Sequence, residues 1–357
     1  MPSSSTPNPR PGLEVESIDA LFDEAGLVRN LSGKPAGVTR RMRRARVDRA
    51  APEELSVPAP LPHIASNGVQ FLPVPAWEKL RWLWHGFSTR KGGLSRAYCA
   101  EDAKGELNLG FTASDEREIV AQNRRLLAEA VSGNPVTPLV TIRQIHSSVL
   151  VVSGSTDAAR ERPCKGDGLM TDQPGLLLGV QTADCIPVLV ADKKKRAVAA
   201  FHAGWRGTVK RIVVTGLGRM MMESGSRPED LIAAIGPGIG ACCYAVGEEV
   251  LSSFESQFSY GRELFCEVYD SDPVRTKYPM LFLTQRAPGH SPIGPSLHLN
   301  LTEANRRQLL AAGLNPKAVS IVGGCTNCRP DLFFSHRASK GHAGRMLSVI
   351  GIRKGSG

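Results

Sequence analysis

No apolar run in this 357-residue chain approaches the roughly 20 residues that cross a bilayer, so no membrane span is expected. The start is rich in Ser and Pro and lacks the apolar centre of a secretory signal, and the expected location is cytoplasmic. Eight cysteines over this length do not make a disulfide scaffold; they read as thiols or metal ligands. The eight histidines include no pair two residues apart, which argues against the His-x-His elements of a trinuclear copper cluster. The His-x-Glu and Pro-Cys-x-x-Cys signature of zinc nucleobase deaminases is also missing, since Pro163-Cys164 runs on into Lys165-Gly166-Asp167. No internal repeat is visible.

What is present is the composition of a soluble globular protein, with 41% hydrophobic and 22% charged residues, in a chain long enough to bury a substantial core. The net charge of +10 suggests anionic ligands. An arginine cluster (Arg40, Arg41, Arg43, Arg44, Arg46, Arg49) stands out, yet residues 1–60 hold nine Lys and Arg against eight Asp and Glu. The positive excess is therefore spread over the rest of the chain. A diffuse field of this kind suits phosphate and is no footprint for nucleic acid.

Residues 1–65 read as a basic, Pro-rich and largely disordered extension, with one short helix on Ile18, Leu21, Phe22 and Ala25 behind Ser17. Residues 66–357 read as the catalytic domain. Asp115 and Glu118 suggest a capping box opening a helix with Val120, Leu126 and Leu127 on its apolar side. Leu176–Val180, Ile186–Val190 and Ala197–Phe201 have strand length, and the polar turn Asp192–Arg196 makes the last two a hairpin. A helix carrying Val209, Ile212, Val213, Leu217 and Met220 is expected after Gly204, then strands at Leu231–Ile235 and Val319–Val322 around a helix near Glu303–Ala312. Strands and helices interleave with a hairpin, which predicts an α/β (α+β) class: a single mixed-sheet domain with flanking helices.

Three short stretches carry the chemistry. His146 ends Thr-Ile-Arg-Gln-Ile-His, Cys185 lies in Gln-Thr-Ala-Asp-Cys-Ile-Pro, and His202 opens His-Ala-Gly-Trp-Arg-Gly. With 38 and then 16 residues between them, they cannot form a local zinc knuckle. Brought together by folding, two imidazoles and a thiolate fill three corners of a tetrahedron and leave the fourth open, as catalytic zinc sites do. Asp184, Gln144 or nearby carbonyls are the expected acceptors for the second imidazole nitrogens. The same residues also suit a metal-free cysteine hydrolase, with Cys185 as nucleophile and a histidine as base. Two His and one Cys are equally the trigonal set of a copper centre. Cys325-Thr326-Asn327-Cys328 lacks a second Cys-x-x-Cys, and the adjacent Cys242-Cys243 is a poor tetrahedral pair; both read as structural.

Gln144-Ile145-His146, Gly166-Asp167-Gly168, Gln181 to Pro187 and His202 to Gly207 occur in that order. So do His85 to Arg90, Asn108-Leu109-Gly110, Ile235-Gly236-Pro237 with Cys242-Cys243-Tyr244, and Asp331 to Arg337 with Gly344-Arg345-Met346. Together these motifs resemble the laccase-domain, or "multicopper polyphenol oxidase", family now described as purine nucleoside phosphorylases. The resemblance spans residues 85–350 and implies zinc, rather than copper, on His146, Cys185 and His202. It further implies phosphorolysis of adenosine, inosine, guanosine and methylthioadenosine, with adenosine deamination as a side activity. Purine nucleosides and phosphate are then the expected partners. Arg90 matches a position expected to reach substrate or phosphate, and Asp184 and Arg206, adjacent to ligands, are further substrate-binding candidates.

Overall fold

The computed structural model describes residues 61–99, 104–159, 163–268 and 296–355. The helix expected near Ile18, the arginine cluster and the linker prolines before residue 61 lie outside them. The described chain opens with β1 (His63–Ile64), β2 (Gln70–Leu72), β3 (Leu83–Ser88) and β4 (Lys91–Ser95). Helix α1 (Arg117–Ser132) follows, then β5 (Leu139–Thr141), β6 (Leu150–Val152), β7 (Gly168–Thr171), β8 (Leu177–Thr182), β9 (Ile186–Asp192) and β10 (Val198–Ala203). Two helices, α2 (Trp205–Val209) and α3 (Ile212–Ser224), lead to β11 (Leu231–Ile235), β12 (Ala245–Val246) and α4 (Glu248–Gln257). The remainder is β13 (Phe265–Val268), β14 (Ser296–Leu299), α5 (Leu301–Ala311), β15 (Val319–Ile321) and β16 (Met346–Ile352).

The class is mixed α/β. Where one mixed sheet was expected, the strands other than β4 divide over two six-stranded sheets and a third of three strands. The first runs β1-β2-β3-β16-β8-β5 and the second β15-β11-β9-β10-β7-β6. Both are antiparallel in the middle, with β5 parallel to β8 in the first, and β15 parallel to β11 and β6 parallel to β7 in the second. The expected hairpin is β9–β10, turning through Asp192–Arg196.

Side-chain alternation explains why there are two sheets. Leu189 and Ala191 of β9 point one way, to meet Leu178, Val180 and Ile350 of the first sheet in a shared core. Val188 and Val190 point the other way, onto Ile212, Leu217 and Met220 of α3 and Leu309 of α5. On the far side, Leu177, Leu347 and Val349 of the first sheet cover Leu127 and Ala128 of α1. The central strands thus have both faces covered, which is why they read as continuous apolar runs. Each fully buried Leu, Val or Phe contributes about 1.5–3 kcal/mol. Among the described residues no helix is long and apolar enough to cross a membrane.

Two local expectations are corrected. Asp115 does not cap α1: its carboxylate accepts from Asn108 Nδ2 at 2.7 Å and from the Glu116 N–H, and Glu116 takes the N-cap position without a side-chain bond. The helix expected after Gly204 is broken at Arg211, which sits in the left-handed region at φ 58°. Its guanidinium donates to the Gln257 carbonyl at 2.8 Å and lies over Phe258, so the end of α4 fixes the break.

Candidate metal centre

Strand register brings the three distant ligand candidates to one end of the second sheet. Ala203 pairs with Ile186 and Phe201 with Gly168. Cys185, just before β9, and Asp167, just before β7, therefore lie beside the end of β10 that carries His202. Leu150 of β6 pairs with Gly168, so the segment ahead of β6, bearing His146, arrives at the same end. One donor atom from each of His146, Cys185 and His202 lies within 4.8 Å of the others. His146 Nε2 is 4.0 Å from Cys185 Sγ, and the two imidazoles meet edge to face at 4.9 Å between centroids. His202 is buried, Cys185 half-buried and His146 exposed, so the cluster opens to solvent on one side.

The acceptor that orients the cluster is Asp167, not Asp184 or Gln144 as expected. Fully buried, it accepts from the backbone N–H of Ile145, His146 and Ser147, from Ser147 Oγ at 2.7 Å, and from His202 Nδ1 at 2.9 Å. Three successive N–H groups converging on one carboxylate form a nest that holds His146 at its positive φ of 56°. Gln144 is spent elsewhere, exchanging two bonds with the backbone of Gln181. Asp184, at φ 93°, turns its carboxylate away to Thr326 Oγ1 at 2.6 Å and the Arg337 N–H at 2.7 Å. Two left-handed non-glycine residues beside the cluster each cost about 1–3 kcal/mol, and their bonding partners hold them there.

The electrostatics follow from this packing. Burial pushes Asp167 up, but its bonds from His202 and Ser147 prevail and hold the carboxyl below the ordinary range. Burial alone would pull His202 down; the thiolate of Cys185 and the Asp167 carboxylate outweigh it and lift the imidazole to about 9. Burial would likewise raise the Cys185 thiol, and the His202 charge with the His146 hydrogen bond brings it down to about 6. A thiol beside two imidazoles is thus poised as thiolate, the form that ligates metal.

This donor set fits a metal ion. Ionised Asp167 accepts, so His202 donates from Nδ1, and a metal that displaces the Nε2 proton would gain its lone pair, in the usual carboxylate–histidine–metal arrangement. Gly204 leaves the cradle open: a Cβ there would stand 3.0 Å from both Cys185 Sγ and His146 Cδ2. Gly238 similarly lets the next loop press on the Asp184 and Cys185 carbonyls, which a Cβ would meet at 2.9 and 3.3 Å.

The remaining candidates are placed differently from one another. Arg90 donates to Pro330 O, Tyr98 O and Glu106 Oε2, at 2.7, 3.1 and 2.7 Å, and stacks over Phe334. It lines a cavity of about 220 Å³ with Tyr98, Phe334, Ser335 and His342. Arg206 is exposed beside the cluster, its guanidinium 4.3 Å from the Trp205 ring centre. The sequence reading passed over Asp167, Ser147, Tyr244 and Arg337 as individual residues, although three of them lie in the quoted motifs. Burial is the main cause that pushes the Tyr244 phenol up to about 12, and it also feels the charges of Cys185, Arg337, Asp184 and Arg206. Arg337 lies over the Tyr244 ring at 5.4 Å.

Residues 84–353 match the family described as multi-copper polyphenol oxidoreductase laccase. A protein of Bacteroides thetaiotaomicron named purine nucleoside phosphorylase is 36% identical over 275 residues, covering 76% of this chain and 92% of its own length. Another relative, from an unknown prokaryotic organism and named adenosine deaminase RL5, is 30% identical and covers 74% and 92%. The crystal structure of YlmD from Geobacillus stearothermophilus superimposes with a TM-score of 0.65 at 30% identity, covering 82% of this chain and 99% of that one. By sequence and by fold, this chain belongs to the multi-copper polyphenol oxidoreductase laccase family.

Proposed function

We propose that the protein is a zinc-dependent purine nucleoside phosphorylase, with adenosine deamination as a side activity. The observation that carries this reading is the convergence of His146, Cys185 and His202 on one solvent-facing point, with Asp167 fixing two of the three. Relatives named purine nucleoside phosphorylase and adenosine deaminase support the reaction class.

His146, Cys185 and His202 would hold the ion. When bound, zinc supplies Lewis acidity, which in comparable centres brings the pKa of water to about 7. Three protein ligands with an open side suit zinc. A multicopper oxidase needs further ligand sets, and the chain has no paired His-x-His element.

In phosphorolysis a phosphate oxygen bonds to the ribose anomeric carbon as the bond to the purine nitrogen breaks, giving free base and ribose 1-phosphate. The chain's part is to orient phosphate and to stabilise charge that shifts at the anomeric carbon. Arg206 and Arg337 are the cations best placed to receive phosphate: each is pre-positioned over an aromatic ring, and neither has a carboxylate partner among the described residues. Arg90 keeps its place as a substrate-side candidate through the cavity it lines, although Glu106 already neutralises it. The Tyr244 phenol stays protonated and can donate a hydrogen bond to sugar or base.

The test is zinc content and phosphate-dependent base release, measured for the wild type, His146→Ala and Cys185→Ala. We expect one zinc bound by these three residues and loss of both zinc and turnover in the variants. Full turnover in a Cys185→Ala protein stripped of this zinc would sink the proposal. A metal-free enzyme that hydrolyses substrate and is inactivated by Cys185→Ser would point instead to a cysteine hydrolase.

A further inference from the structure

We propose that Cys242, Cys243, Cys325 and Cys328 form a second metal site, a closed four-thiolate site for a zinc-class divalent cation that pins the wall behind Cys185. The inference is independent of the catalytic reading.

Topology brings the two cysteine pairs together. β11 and β15 are parallel neighbours, with Ile235 opposite Ile321, so the loops that follow them leave the sheet at the same end. Gly238 and Cys325 form a parallel bridge, and the Thr326 N–H donates to Gly238 O at 2.9 Å. Adjacent cysteines make a poor ligand pair in an extended chain, but here the backbone turns sharply. The N–H groups of Cys243 and Tyr244 both donate to Gly240 O at 3.0 Å. That turn sends both sulfurs toward Cys328, with Cys242 Sγ at 3.5 Å and Cys243 Sγ at 3.4 Å from its Sγ. All four sulfurs lie within 4.8 Å of one another.

These distances suit a metal. Zinc–sulfur bonds of about 2.3 Å place tetrahedral thiolates roughly 3.8 Å apart. A disulfide would need about 2.05 Å, and all four cysteines are free thiols. Thiolate sets packed this closely select soft or borderline cations. With every corner supplied by the protein, such a site is structural rather than catalytic.

Its position gives it a consequence. Thr326 stands between two of the ligands and donates to Asp184 Oδ1, while Ile239, in the other loop, donates its N–H to Asp184 O at 2.7 Å. Both loops therefore grip the left-handed residue that precedes Cys185. A cation tying the loops together would hold Cys185 in place from behind.

The experiment is metal analysis and zinc X-ray absorption on the full-length protein, purified under reducing conditions, beside a His146→Ala/His202→Ala variant. We expect two zincs per chain in the unmutated protein, with five sulfur ligands between them. The variant should keep one zinc in an all-sulfur shell at about 2.3 Å, and adding Cys325→Ser/Cys328→Ser should remove it. If substituted chains fail to fold, the unmutated protein still decides the matter. A zinc shell containing only the single sulfur of Cys185 overturns the proposal, as does a disulfide from Cys328 to Cys242 or Cys243 in non-reduced peptide maps. Absence of phosphate-dependent nucleoside turnover in the unmutated protein, with the all-sulfur zinc present, would count against the function proposed above and leave this site standing.

Discussion

Replacing Asp167 by Asn tests the physical account of the centre at its least exposed point. The substitution keeps shape and removes charge. One carboxylate oxygen now accepts from Ser147 N and Ser147 Oγ, the other from His146 N and His202 Nδ1. If the amide nitrogen takes the first position, the Ser147 hydroxyl can rotate to accept from it, but the Ser147 N–H is left facing a donor. A buried donor without a partner costs about 1–3 kcal/mol. Weakening the bond to His202 from charge-assisted to neutral costs roughly 1 kcal/mol more. We therefore expect a stability loss of about 2–4 kcal/mol at neutral pH. Zinc affinity should also fall 10- to 100-fold, the usual effect of losing an outer partner of a metal-bound histidine. Denaturant unfolding and competition against a chromogenic zinc indicator read the two quantities separately. An Asp167→Asn protein with unchanged unfolding midpoint and zinc affinity within twofold of wild type would refute the reasoning.

Gly204→Ala should lower zinc affinity while leaving far-UV circular dichroism unchanged, because the new Cβ stands 3.0 Å from Cys185 Sγ and crowds the donors rather than the core. In metal-free protein, Cys185 alkylation by iodoacetamide should rise with a midpoint near pH 6, against about 8.5 for an ordinary thiol, and zinc should protect it. Cys185, lowered, loses its contribution to stability as pH falls through about 6, and His202, raised, loses its own as pH climbs through about 9. Apo-protein stability should therefore peak between those values, and chemical denaturation at pH 5, 7.5 and 10 would check it. Arg206→Ala should raise the KM for phosphate about tenfold, equivalent to about 1.4 kcal/mol, with Tm unchanged. Arg90→Ala should instead lower Tm, since it strands Glu106 at 9% exposure; breaking a buried pair costs about 3–5 kcal/mol.

What could be read from the sequence was local. The β9–β10 hairpin announced itself through two apolar runs about the charged turn Asp192–Arg196, and the strands at Leu231–Ile235 and Val319–Ile321 through short apolar stretches. The three ligand candidates stood out by residue type, and strand register then brought their donor atoms within 4.8 Å. Interactions between distant segments were the part that stayed hidden. Asp184 drew attention as the neighbour of Cys185, yet its backbone turns the carboxylate away, and Asp167 reaches His202 only through the pairing of β7 with β10. Arg211 breaks a helix whose apolar spacing continues through it, because a carbonyl 46 residues on holds its side chain. Cys242-Cys243 looked unsuited to a metal until the turn at Gly240 and the parallel neighbour β15 placed Cys325 and Cys328 opposite. Two sheets rather than one could not be inferred either, since every apolar run that packs between them serves equally well in a single sheet with both faces covered.

The most direct test of the central claim is product analysis of one incubation, adenosine with the zinc-loaded protein, run with and without phosphate. The account expects adenine and ribose 1-phosphate in equal amounts when phosphate is present and no adenine without it. Inosine and ammonia as the sole products, formed at the same rate whether or not phosphate is added, would contradict it.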